Sequence, residues 1–129
     1  MRDVTTNTSN DVYQETIRMN IHELVRRLNE AVGTAVVQSI SGCKDRGLPN
    51  KWAKDDGPEP SPDATDRLRL GFRVWRTVEM KEGKNVALAW LVGANPRLGE
   101  KTPVTFVREL RHEDVLGAAQ AFVDDIYAA

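Results

Sequence analysis

Residues 42–62, Gly-Cys-Lys-Asp-Arg-Gly-Leu-Pro-Asn-Lys-Trp-Ala-Lys-Asp-Asp-Gly-Pro-Glu-Pro-Ser-Pro, run from a short cationic segment through a tryptophan into an acidic turn rich in glycine and proline. Pro49 suits the first turn of a helix and fits poorly inside one, so this stretch predicts a short helix from Leu48 or Pro49 to Lys54 or Asp55. Asp56-Gly57-Pro58 ends it. Trp52 and Ala53 then face a core while the lysines face outward, as at the end of a helix-turn-helix reading helix. The connector from Gly42 to Leu48 is longer than the usual turn of about 3–4 residues.

The flanking segments read as helices too. Asn20 can cap a helix to Val32, with Ile21, Leu24, Val25, Leu28 and Val32 at helical spacing on one face. Gly33 breaks it, and a second helix is expected from Thr34 to Ile40, although its β-branched residues also suit a strand. Ser61-Pro62 is a strong helix start, with Asp63 and Asp66 near the positive end. The alternation of Leu68, Leu70, Phe72 and Val74 with arginines is also a strand pattern, and the start signal decides for helix. After Glu82-Gly83-Lys84, a hinge between two small units, helices are expected over Asn85–Val92, from Thr102-Pro103 to Leu110, and over Glu113–Tyr127. Residues 1–15 are polar and read as a flexible leader. The expected organisation is therefore all-α: a leader at 1–15, one helical unit at 16–81 and a second at 82–129.

A chain of 129 residues with 40% hydrophobic and 29% charged residues can bury a real core. Its net charge of −1 argues against a generally basic coat, but the charge is in blocks. Arg18–Lys54 holds seven Lys/Arg against three acids, Asp55–Asp66 holds five acids and no base, and Arg67–Arg76 returns four arginines. Lys44, Arg46, Asn50, Lys51 and Lys54 supply what a DNA site needs, since cations release counterions at phosphates and Arg, Lys and Asn bond base edges. Thr34 and Gln38 are placed as phosphate contacts that fix orientation. The bland alternative is a solvated cationic face on a helical domain.

Trp52, Trp75 and Trp90 fit helical core patterns rather than ligand-stacking roles. The acidic run lacks the ligand spacing and central glycine of a calcium loop. Cys43 is alone, no Cys/His cluster has metal-ligand spacing, and no cofactor is expected. A nucleophile elbow, a phosphate-cradling glycine loop and a zinc-protease His pair are all missing, so catalysis is not expected. No apolar run suggests a signal peptide or a membrane span, which makes the cytoplasm the expected location.

The second half carries Ala89-Trp90-Leu91, Asn95-Pro96, Leu98-Gly99, Thr102-Pro103-Val104, Phe106-Val107-Arg108 and Asp114-Val115. This run resembles the toxin-binding domain of the Xre/MbcA/ParS-type antitoxins. Leu28-Asn29, Gly42, Lys44-Asp45-Arg46, Trp52-Ala53, Pro60 and Arg67-Leu68 resemble the Xre-like DNA-binding domain that precedes it in that family. The resemblance covers about residues 20–127. It implies a protein that represses its own operon through residues 16–81 and binds a partner toxin, commonly of the NAD-degrading RES type, through residues 82–129. Asn95, Pro96, Leu98, Gly99, Thr102 and Pro103 would be mainly architectural. Toxin contacts would fall on Asp124, Asp125 and Tyr127. A homodimer on double-stranded operator DNA is expected, because a symmetric operator needs two reading helices. Two alternatives stay open: a protein-interaction module with a degenerate helix-turn-helix, and a phage or accessory repressor without a toxin.

Overall fold

The computed structural model describes the backbone of residues 4–128 and the side chains of residues 9–125. Its elements are α1 (Val4–Arg18), α2 (Ile21–Val32), α3 (Thr34–Ser41), α4 (Leu48–Trp52), α5 (Pro62–Glu82), α6 (Lys84–Val92), the 3-10 turn η1 (Pro96–Leu98), α7 (Pro103–Arg108) and α8 (His112–Ala128). The fold is all-α; the β feature among the described residues is an isolated bridge between Asn95 and Lys101.

Three helix starts follow from their caps. Asn20, Ser61 and Thr102 each accept a bond from an amide of the first turn, those of His22, Ala64 and Thr105, at 2.9, 3.2 and 3.1 Å. Gly33 and Gly83 each join two helices alone, with φ of 90° and 85°. Their amides close the helix before, on Asn29 and Glu79, and their carbonyls open the helix after. That double duty needs a backbone shape that side chains with a Cβ rarely adopt.

The long α5 is the axis, packed by α1, α2, α3, α6, α7 and α8. Leu24 and Leu28 of α2, Ile40 of α3, Leu68 and Phe72 of α5, Leu91 of α6 and Val107 of α7 belong to one buried cluster that continues to Val115 and Val123 of α8. The break at Glu82-Gly83-Lys84 therefore separates two helices, while the buried residues on its two sides share one core. Arg67 and Arg108 tie the halves further. Arg67 donates to Arg108 O at 2.8 Å and Ser41 O at 3.2 Å, and Arg108 donates to Ser39 Oγ at 2.8 Å. The Arg67 acceptors are carbonyls at the C-terminal ends of α7 and α3, the negative ends of both helices, where a guanidinium is favoured.

The reading of residues 1–15 as a flexible leader is overturned: from Val4 onward they belong to α1. Val12, Thr16 and Met19 are buried against the bundle. An arginine stripe on α5 holds the helix. Arg69 donates to Thr16 O and Met19 O, both at 2.9 Å, Arg73 lies 4.8 Å from the Tyr13 ring centroid, and Arg76 pairs with Glu15 at 3.1 Å. Burial works against the Arg76 charge, but bonds and charge from Glu79 and Glu15 outweigh it and raise its pKa above the ordinary arginine value. The Thr- and Asn-rich composition hid this helix, because tertiary contacts override weak local preference. Residues 1–3 lie outside the described residues.

Candidate nucleic-acid interface and partner surface

Helix α4 has five residues, too few to hold itself in water. Three side chains of α2 fix it by its carbonyls. His22 Nδ1 lies 2.8 Å from Trp52 O, Arg26 donates to Ala53 O at 2.7 Å, and Asn29 Nδ2 donates to Pro49 O at 3.0 Å. A carbonyl only accepts, so His22 carries its proton on Nδ1. Residues 22, 26 and 29 recur at the helical spacing that puts them on one face of α2. Trp52 and Pro49 are buried beneath α4. Gly57 closes the far end: its amide bonds Lys54 O at 2.9 Å, and a Cβ there would stand 2.1 Å from Lys51 O.

The side of α4 left outside carries Asn50 and Lys51, with Lys54 just beyond, all exposed. Lys44 and Arg46 are exposed in the preceding loop, which is itself braced. Gln38 Nε2 donates to Cys43 O at 3.4 Å and Lys44 O at 3.2 Å, and Asp45 Oδ1 accepts from Gly47 N at 2.7 Å. The structure thus groups Lys44, Arg46, Asn50, Lys51 and Lys54 around one short helix and its loop. Gln38 lies beneath them as the brace of that loop, its amide directed at loop carbonyls. Thr34, half-buried, is the first residue of α3, so the length of that helix, about 10 Å, separates it from the loop. Asp45, Asp55 and Asp56 are exposed in the same region, and Asp55 pairs with Arg26 at 3.3 Å. An exposed pair of this kind adds little stability.

In the second half, the motif residues build a turn. Asn95 Oδ1 accepts from Arg97 N at 2.9 Å, Leu98 is buried, Gly99 has φ of 64°, and Thr102 and Pro103 start α7. Pro96 is different, because it stays exposed in a groove of about 410 Å³ between α6, the 93–97 loop and α8. Trp90 and Phe122 form its aromatic floor, with ring centroids 6.1 Å apart. Asp125 stands at its edge, 3.7 Å from Arg97, and Asp124 accepts from Gln120 at 3.0 Å. The Tyr127 side chain lies outside the described residues.

Sequence reading passed over the roles of His22, Arg26 and Asn29. Their spacing, beside the apolar stripe of α2, was the available signal. The groove had none, since it joins residues 89–97 to residues 118–125 only in the fold. Among the described residues no His/Cys/Asp/Glu group could hold a metal ion, and no helix is long and apolar enough to cross a membrane. Compared with protein-family models, curated proteins and solved structures, the chain matches none.

Proposed function

We propose that this protein is a DNA-binding regulator of the antitoxin type, which represses its own operon through the α4 face and binds a partner toxin through α6–α8. The observation that carries the DNA-binding half is the clamp on α4. Three α2 side chains engage its carbonyls from the inner side. Lys44, Arg46, Asn50, Lys51 and Lys54 are left outward on a fixed frame. A clamped frame lowers the ordering cost of binding, and the cations supply phosphate contacts. The partner half rests on the resemblance of the 89–115 motifs to the toxin-binding domain of Xre/MbcA/ParS-type antitoxins. The protein acts as a homodimer in the cytoplasm and without catalysis of its own, and RES-type proteins are the first toxins to try.

Gel shifts on the DNA upstream of the gene test the reading. Four phosphate contacts per protomer correspond to a log–log salt slope of about −3 to −4 for each half-site. A shallow salt dependence, or a strictly monomeric mass at micromolar concentration, counts against it. One observation favours a second reading, an interaction module that does not bind DNA. Asp45, Asp55 and Asp56 interrupt the cationic face, and Gln38 is engaged inside the loop. A copurifying toxin together with no DNA binding at low salt would select that module. A DNA-binding protein with no toxin would select a lone repressor.

A further inference from the structure

The groove beside Pro96 is apolar at its base and borders a cationic recess at Arg97. Ala89, Gly93 and Ala94 keep one wall low, and Trp90 and Phe122 form the floor. About 410 Å³ is room for a large side chain with its neighbours, at the small end of ligand sites. The polar groups here do not converge on a small molecule, because the Asn95 side-chain carbonyl is engaged by the Arg97 amide and the Arg97–Asp125 pair stands at the edge.

Arg97 lines both this groove and the adjoining recess of about 360 Å³, where Lys101, Phe106 and Arg111 also stand. The two adjoin at the Arg97 side chain. The acids here, Asp125 and Asp114, are already paired with Arg97 at 3.7 Å and Arg111 at 2.7 Å. Lys101 has no ion pair among the described residues, so the surface keeps an excess of positive charge. The Arg111 guanidinium carbon lies 4.4 Å from the Phe106 ring centroid, a cation–π contact that holds the group over the ring.

We propose that groove and recess together dock a segment of a partner protein carrying a large apolar anchor followed by carboxylates. The anchor lies on Trp90, Pro96 and Phe122, and the carboxylates reach Arg97, Lys101 and Arg111. This deepens the partner-binding half of the proposed function and rests on it, but uses nothing of the DNA-binding half. It keeps Asp125 at the edge of the contact surface and extends that surface from the end of α8 to Arg97, Lys101 and Arg111.

The test uses the full chain and three fluorescein-labelled peptides. The first is a short amphipathic helix with Leu and Phe on one face and glutamates after them. The second replaces the glutamates with lysines, and the third replaces Leu and Phe with serines. The first should bind about tenfold more tightly than either of the others. Ala89→Arg, an exposed change that fills the groove, should abolish binding. Arg97→Glu with Lys101→Glu should erase the preference for glutamate, with helical content unchanged by circular dichroism. The Trp90 indole resonance should shift on binding while that of Trp52 stays in place. Equal binding of the glutamate and lysine peptides, binding unaffected by Ala89→Arg, or no binding of the first peptide overturns the proposal. Coexpression with the neighbouring gene product separates the claims. A toxin that copurifies equally with the wild type and Ala89→Arg sinks the groove and keeps the antitoxin reading. Peptide binding without any toxin partner does the reverse.

Discussion

The α4 region and the α6–α8 groove present surface in opposite ways. At α4 the backbone is held by polar side chains from beneath, and the functional candidates are charged side chains pointing outward. At the groove the backbone is held by motif residues that act as caps and turns, and the candidate surface is the apolar floor they leave between two helices. One surface is a set of charges on a clamped frame, and the other is a shape. Changes beneath α4 should therefore alter stability first, while changes at the groove edge should alter binding alone.

The largest expected effect is Trp52→Ala. Trp52 is 4% exposed and joins α4 to the shared core, so truncation should cost about 3–5 kcal/mol in urea unfolding. If it cost under about 1 kcal/mol, α4 would be an appendage and the comparison would fail. Next is Gly57→Ala. The new Cβ would collide with Lys51 O unless the turn shifts, which should cost about 1–3 kcal/mol, seen as a lower urea midpoint. Asn29→Ala should come third. It strips Pro49 O of its side-chain partner and should cost about 1–2 kcal/mol, with faster amide exchange within α4 than within α5. Smallest is Val92→Ser at the end of α6. Val92 is 45% exposed, so stability should move by less than about 0.5 kcal/mol.

The sequence was most legible where a single residue sets a local geometry. Asn20, Ser61 and Thr102 accept the amides that a capping residue should, and Pro62 and Pro103 sit in first turns. Gly33 and Gly83 break the chain where helices meet. It was silent where structure comes from distant partners. Helix α1 carries few apolar residues, and Arg69, which bonds the carbonyls of Thr16 and Met19, lies some fifty positions away. The long connector before α4 read as a departure from the usual turn, and Gln38 read as a phosphate contact. The fold joins the two, because the length of the loop brings carbonyls 43 and 44 over the Gln38 amide. Charge blocks located the cationic face but not its clamp, since His22, Arg26 and Asn29 sit among ordinary surface residues until α4 folds over them.

The most direct measurement is fluorescence anisotropy with labelled DNA from upstream of the gene, comparing the wild type with the combined Arg46→Ala, Lys51→Ala, Lys54→Ala variant. All three side chains are exposed, so thermal unfolding should be unchanged. The wild type should bind with affinity falling steeply as salt rises, and the variant should bind at least about a hundredfold more weakly. Equal binding by both proteins, or no binding by the wild type at low salt, would contradict the assignment of the α4 face to DNA.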